Sequence, residues 1–269
     1  MLFNFRGQDI YYEVHGEGTP LLVLNGLMMT TNSWTFMVET LSERYQLILV
    51  DMLDQGQSAA ATDDYTQADQ VELIKAFLDF LTLETVNIMG ISYGSEVAIQ
   101  FTVKYGSYVN KLFLSNACPN TNDWLKDIGR SWIEAMQSPL NFYLSTIPII
   151  YSPAFYNNNQ AWFKKRQELL LGVFSQPGYL ERMKRLITSA ESYDSRSELH
   201  KITQPTYILG ASHDLITPLD QQRELYEAIE NAQFSVIQSC GHASMYEKPQ
   251  EFLGALIGFL ETPAPLSIV

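Results

Sequence analysis

Three side chains in this sequence could do chemistry together: a hydroxyl, an imidazole and a carboxylate, far apart along the chain but each just past an apolar run. The hydroxyl belongs to Ser92, in Gly90-Ile91-Ser92-Tyr93-Gly94. Val86-Asn87-Ile88-Met89 before it reads as a buried strand, and the stretch 96–104 after it, free of Gly and Pro, continues as a helix. A bare G-x-S-x-G arises often by chance; the strand before it and the helix after it are what give it meaning. They place the serine on a sharp turn with its hydroxyl projecting, and glycines two residues to either side relieve the crowding of the backbone there. The adjacent helix start offers free N–H groups and a partial positive charge to an oxyanion.

A serine hydroxyl is a weak nucleophile at neutral pH, so this reading requires a base and a group to orient the base. Four histidines are available. His15 ends the alternating segment 10–15, His200 sits in a charged stretch before Pro205, and His213 reads as a pocket or loop residue. His242 stands in Ser239-Cys240-Gly241-His242-Ala243, directly after the apolar run Phe234-Ser235-Val236-Ile237, and is the expected base. The acid should fall between serine and histidine in chain order. Asp214 does so, following the strand Thr206-Tyr207-Ile208-Leu209-Gly210. Its nearest rival, Asp220 in Pro218-Leu219-Asp220, reads as a helix N-cap with a structural job. The other topological position follows the strand 112–115, where Asn116 stands and Asp123 lies well beyond. Asp214 is therefore the expected acid.

Positioning these groups takes an alternation of strands and helices, which requires a parallel sheet and an α/β fold. Segments 2–5 and 10–15 predict an opening hairpin, and 21–24, 47–50, 86–89 and 112–115 consecutive strands. Helices are expected over 32–43, 69–80 and 92–105. In the second of these Val71, Ile74, Phe77, Leu78 and Leu81 form an apolar stripe at three-four spacing. After a long interruption, strands at 207–209 and 234–237 and helices at 219–228 and 249–260 complete the sheet.

The order Ser92, Asp214, His242, each at a strand end, resembles the α/β-hydrolase fold superfamily along nearly the whole chain. Leu22-Val23-Leu24-Asn25-Gly26-Leu27 resembles the strand and His-Gly loop that supplies one oxyanion-hole amide there, and Asp51-Met52-Leu53-Asp54-Gln55-Gly56-Gln57-Ser58 its D-x-R-G-x-G-x-S segment. The resemblance implies an oxyanion hole made by the backbone N–H groups of Leu27 and Tyr93. Asn25 replaces the usual His, and Leu53-Asp54 the usual Arg-Gly. Because the oxyanion donor is a backbone group, the first change leaves it in place. A narrower resemblance, to the 3-hydroxyacyl-carrier-protein O-acyltransferase of rhamnolipid biosynthesis, rests on Asn25, Gly26, Met28, Thr30, Thr31, Ser33, Gly56, Gln57 and Ser58, with Val71-Glu72-Leu73 beyond. It implies acyl transfer from a carrier thioester to a hydroxyl.

The interruption bounds the expected domains: a core of residues 1–118 and 202–269, and an inserted helical cap, or lid, over 119–201. This insert has no strand-like period and is rich in aromatics, among them Trp124, Trp132, Trp162, Phe142 and Phe155. Residues 135–163 contain no Asp, Glu, Lys or Arg, yet three prolines and Asn157-Asn158-Asn159 speak against a membrane span. An apolar underside lining an acyl pocket is expected, beside a cap core of its own.

Composition sets outer limits. With 269 residues, 46% of them hydrophobic, there is material for one sizeable buried sheet. A net charge of −13 disfavours nucleic acid and anionic membranes as partners. The insert nonetheless carries ten basic and eight acidic residues, with Lys164-Lys165-Arg166 and Arg182, Lys184, Arg185 as clusters. These are solvated helix faces or a docking patch for an acyl carrier protein or a phosphopantetheine thioester. Two cysteines, Cys118 and Cys240, suggest no disulfide framework, and Met1 to Arg6 no signal peptide, so a cytoplasmic protein is expected. No spacing of Cys and His suggests a metal, no phosphate-binding loop appears, and the chemistry calls for no cofactor.

The expected activity is cleavage of an ester or thioester with an apolar acyl group by a serine hydrolase using Ser92, Asp214 and His242. Acyl transfer from a carrier thioester is the alternative, since it differs only in the second acceptor. Two further readings stay open: a non-catalytic ligand-binding relative, and a serine-independent relative of the haloperoxidase or dehalogenase kind.

Overall fold

Strands with both faces buried must be covered on both sides, and the central strands here are apolar on successive residues rather than alternate ones. Leu21 to Leu24, Leu47 to Val50 and Leu112 to Leu114 are all buried. In the computed structural model, which describes residues 1–262, they form the middle of an eight-stranded sheet. The strands are β1 (Leu2–Phe5), β2 (Gln8–His15), β3 (Pro20–Leu24), β4 (Gln46–Val50), β5 (Val86–Ile91), β6 (Val109–Ser115), β7 (Thr206–Ala211) and β8 (Ala232–Ile237). Their order is β1-β2-β4-β3-β5-β6-β7-β8. From β4 to β8 all neighbours run parallel, while β1 and β2 pair antiparallel and β2 meets β4 antiparallel. This is the mostly parallel α/β architecture expected from the sequence.

The flanking helices are α1 (Thr35–Ser42), α2 (Gln67–Phe80), α3 (Tyr93–Tyr105), α9 (Leu219–Ala228), α10 (Ser244–Glu247) and α11 (Pro249–Glu261). On α2, Val71, Ile74, Phe77 and Leu78 are buried, as the apolar stripe requires. Phe77 meets Phe3 and Tyr12 of the opening hairpin, and on α11 Phe252 packs against Phe113 and Trp34. One expected helix is divided: 32–43 begins as a 3-10 turn, Thr31–Trp34, before α1. A capping box between Thr30 and Ser33 starts that turn early and sets the α-helix back.

Five helices lie between β6 and β7: α4 (Asp123–Glu134), α5 (Pro139–Ile150), α6 (Pro153–Asn158), α7 (Gln160–Phe174) and α8 (Tyr179–Ser189). Two of the prolines that broke up the charge-free stretch start helices. Ser138 and Ser152 cap α5 and α6, each followed by a Pro at the first helical position, where a missing N–H costs nothing. The ends of the segment are stitched together, Thr121 N–H to Tyr193 O at 2.9 Å and Ser195 N–H to Pro119 O at 2.9 Å. Among the described residues no helix is long and apolar enough to cross a membrane.

Candidate active site

Ser92 joins β5 to α3 with φ +51° and ψ −118°, a conformation that non-glycine residues rarely adopt. Its N–H donates to Ser115 O on β6, and its carbonyl accepts from Ser95 and Glu96 to close the first turn of α3. The flanking glycines are there because nothing larger fits. A Cβ on Gly94 would lie 2.1 Å from the Leu24 carbonyl oxygen, and one on Gly90 2.7 Å from the Ser95 Cα. The turn is thus clamped between β3 and its own helix, and the half-buried serine side chain faces a pocket.

The same pocket is lined by His242, from the loop after β8. Its Nδ1 lies 2.8 Å and 3.0 Å from the two carboxylate oxygens of Asp214, from the loop after β7. Asp214 is fully buried, and burial by itself would raise its carboxyl. The opposing charge and hydrogen bond of His242, the amide of Asn116 and the Thr217 N–H outweigh burial and hold it below the usual aspartate value. Ile216 N–H and Thr217 N–H donate to Oδ1, and Thr217 Oγ1 to Oδ2. With Nδ1–H donated to Asp214, Nε2 is the nitrogen left to accept a proton. No Ser92–His242 hydrogen bond forms among the described residues; such bonds are often long before substrate arrives.

The rivals lie elsewhere. Asp220 is exposed in the first turn of α9, whose N-cap is Pro218, so it is not the cap, and His242 Nδ1 is taken by Asp214 instead. The His15 ring pairs with Glu13 at 2.8 Å. His213 is an exposed loop residue that does not line the pocket, and His200 lies in the last turn of the 3-10 helix Arg196–Lys201.

Leu27 and Tyr93 line the pocket beside Ser92, and their N–H groups have no acceptor among the described residues. Asn25, in place of the usual histidine, braces the Leu27 loop: Nδ2 donates to Val50 O at 3.0 Å, and Oδ1 accepts from Trp34 Nε1 at 2.8 Å. Gln55 Nε2 donates to the Asn25 and Gly26 carbonyls from the far side.

Several site residues went unread in the sequence. Asn116, φ +52°, donates from Nδ2 to Asp214 Oδ2 at 2.7 Å and is itself fixed by Ser115 and Ser244 hydroxyls. Its position after β6, the alternative place for the acid, was the available signal. Glu247 accepts from Gly241 N–H and from Ser152 N–H and Oγ, tying the histidine loop to the start of α6. Glu96, one turn beyond Ser92, is buried in the pocket wall against Gln67 and the Cys118 thiol; burial pushes its carboxyl up to about 7.

The inserted helices add Leu125, Ile128 and Trp132 of α4, Ile147 of α5, Leu170 of α7 and Ile187 of α8, facing Met28, Met29, Ile216 and Met245 of the core in the same lining. Arg182 and Arg185 of α8, read from the sequence as part of a basic cluster, turn inward instead. Arg185 holds the buried Asp54 by two hydrogen bonds of 2.9 and 2.7 Å, and Arg182 donates to the carbonyls of Asp54, Gln55, Gly56 and Ser58. Asp54, at φ +64°, stands where the sequence departs from Arg-Gly, and the insert's own arginines stabilise the turn. Among the described residues no group of three or more His, Cys, Asp or Glu side chains is placed to hold a metal ion.

Comparison with known proteins agrees with the fold. The family model for the alpha/beta hydrolase fold matches residues 19–249. The structure of MGS-M2, an alpha/beta hydrolase enzyme from a Medee basin deep-sea metagenome library, is 41% identical, with a TM-score of 0.97 over 100% of both chains. A pimeloyl-[acyl-carrier protein] methyl ester esterase of Nitrosomonas europaea is 26% identical over 255 residues, 91% of this chain and 97% of that one. A putative carbamate hydrolase, RutD, of Azorhizobium caulinodans is 24% identical over 253 residues, 93% of this chain and 94% of that one.

Proposed function

The chain belongs to the α/β-hydrolase fold family, and from that premise we propose that it is a serine hydrolase cleaving carboxylic esters or thioesters with apolar acyl groups through an acyl-enzyme. One observation carries the reading: Ser92 is held in a rare backbone conformation facing the same pocket as His242, whose Nδ1 is taken by a buried Asp214. A residue that only bound ligand would have no use for that linkage.

In the first half-reaction Ser92 Oγ bonds to the carbonyl carbon while His242 Nε2 takes its proton. The carbonyl oxygen becomes an oxyanion that accepts hydrogen bonds from the Leu27 and Tyr93 N–H groups, a kind of contact worth about 3 kcal/mol of barrier each. Collapse breaks the C–O or C–S bond, and the His242 proton goes to the departing alcohol or thiol. Water then attacks the acyl-serine, giving its proton to His242; the acid departs and Ser92 Oγ recovers the proton. Asp214 stays ionised throughout, fixing the tautomer and stabilising the imidazolium.

Residues 119–201 act as a cap on the core of 1–118 and 202–262, their apolar side chains receiving the acyl group; residues 263–269, which the sequence also assigns to the core, lie outside the described residues. Hydrolysis rather than transfer to a second hydroxyl is favoured by the names of the relatives, an esterase and a hydrolase. The first of these names places its ester on an acyl carrier protein, so carrier-bound acyl groups stay within the substrate class. Docking of a carrier would rest on the exposed Lys164 and Lys165, because Arg182 and Arg185 are engaged within the protein. The test is labelling with a fluorophosphonate followed by mass analysis. A single adduct at Ser92, absent from Ser92→Ala, is expected; an unlabelled protein that still turns over esters would overturn the serine mechanism.

A further inference from the structure

The pocket that holds Ser92 and His242 also holds one cation, Arg166 of α7. Its guanidinium carbon lies 5.0 Å from the centroid of the Trp162 ring and 4.5 Å from that of Tyr246. The Arg166 Nε is buried and has no hydrogen-bond partner, and among the described residues the side chain makes no ion pair. Glu247, the nearby acid, is committed to Gly241 and Ser152. Glu96, the acid in the lining, is taken by Gln67 Nε2 and the Cys118 thiol, and burial pushes its carboxyl up to about 7.

A guanidinium packed against aromatic rings keeps its edge for a planar acceptor, and a partly desolvated cation with no anion is an incomplete arrangement. We propose that Arg166 receives a carboxylate on the substrate, so that the natural substrate is an ester or thioester carrying a free carboxylate away from the bond that is cleaved. A dianionic phosphate fits less well, because the lining offers it no second cation. Tyr246 follows His242 by four residues, so the charge is set beside the histidine loop, while Leu125, Ile128, Trp132 and Ile187 of α4 and α8 contribute only apolar surface. This inference rests on the serine-hydrolase reading and narrows its substrate.

The test is a ratio. Two sets of substrates are compared, carrying a terminal carboxylate or its neutral methyl ester: p-nitrophenyl half-esters of dicarboxylic acids for the acyl arm, and valerate esters of hydroxy acids for the alcohol arm. In at least one set the carboxylate should be preferred in kcat/KM by about tenfold or more, as expected for a charge-assisted hydrogen-bonded pair. Arg166→Met should bring that ratio to unity, and Arg166→Lys should recover part of it. If wild-type protein turns over the neutral substrates but prefers the carboxylate in neither set, or if Arg166→Met keeps the preference, the proposal is wrong while the serine mechanism stands. Failure of Ser92 to label with fluorophosphonate would instead remove the reading beneath it.

Discussion

The loops at the ends of β5, β7 and β8 and the helices α4 to α8 face the same pocket but are built by different rules. At the strand ends, position is fixed by backbone. Ser92 sits in a turn with no room for a methyl at either glycine, and Asp214 accepts from two amides, a hydroxyl and a carboxamide before it meets the histidine. The inserted helices line the pocket with hydrocarbon and aromatic rings, which pack well in many arrangements, and they are pinned to the core at a few polar points such as Arg185 on Asp54 and Ser152 on Glu247. For the proposed hydrolase the contrast teaches a division of labour: chemistry that tolerates little displacement would stand on the sheet, and discrimination among substrates on a surface free to vary.

The contrast breaks most sharply at the strand ends. Ser92→Ala and His242→Ala should each lower kcat by about 10⁴-fold or more with the fold intact, and the double variant should lose little more, since the two act as a unit. Asp214→Asn should cost about 10⁴-fold by favouring the wrong imidazole tautomer. Steady-state kinetics on an activated ester, with circular dichroism to verify folding, reads all of these. Near-normal turnover by Asp214→Asn alongside a crippled Asp220→Asn would show that the acid has been misassigned.

The next effect falls on the junction between the two regions. The Asp54 carboxylate is fully buried, and Arg185 is about three-quarters so, with its side chain 23% exposed. Removing one partner of such a pair leaves a buried charge uncompensated, so Arg185→Met should destabilise the protein by about 3 kcal/mol in urea unfolding. Arg182, 3.8 Å from Asp54, keeps the loss from being larger. Asp54→Asn in the Arg185→Met background should recover most of it, giving a coupling that a double-mutant cycle measures. A loss below about 0.5 kcal/mol, the scale of a surface substitution, would mean that the latch is incidental and packing alone holds the inserted helices.

The two regions also differ in how much of them a reader of the sequence could see. The strands were legible because burial on both faces writes an unbroken apolar run, and the serine turn because its crowding admits only glycine at two fixed positions. Asp214 and His242 stood out by following such runs. Asn116, Glu96 and Glu247 did not, because each matters through a partner 29 to 128 residues away, a relation with no local signature. In the insert, Lys164-Lys165-Arg166 looks like one basic patch. Helical geometry leaves both lysines exposed and sends Arg166 between two aromatic rings. The Arg182–Lys184–Arg185 cluster divides the same way, two arginines turned inward onto the core and the lysine left in solvent.

Glu96 sharpens the comparison on the core side through pH. Burial raises its carboxyl in the folded protein to about 7, from an ordinary value of 4.5. Between these two values the unfolded chain has released the proton and the folded chain keeps it. Stability therefore falls as pH rises through that window, and the loss is complete above about 7, amounting to a few kcal/mol at most. Glu96→Gln removes the titration. Urea midpoints at pH 5 and pH 8 should show the variant gaining on wild type at the higher pH; a difference independent of pH would mean that the carboxyl is ionised throughout.

The smallest effect per atom belongs to the inserted helices, and it accumulates. Each methylene of an acyl chain that leaves water for the wall formed by Leu125, Ile128, Trp132 and Ile187 contributes about 0.8 kcal/mol at best, close to a fourfold gain in kcat/KM. Across p-nitrophenyl esters from acetate upward, kcat/KM should rise with chain length and level off or fall once further carbons meet a filled pocket. Ile187→Ala, which enlarges the wall near Gly129, should move the optimum to longer chains while the half-reaction at Ser92 is unaltered. A flat series, or one that peaks at acetate, would remove the acyl-pocket role from the insert and leave a small-substrate esterase whose selectivity, like its chemistry, resides on the sheet.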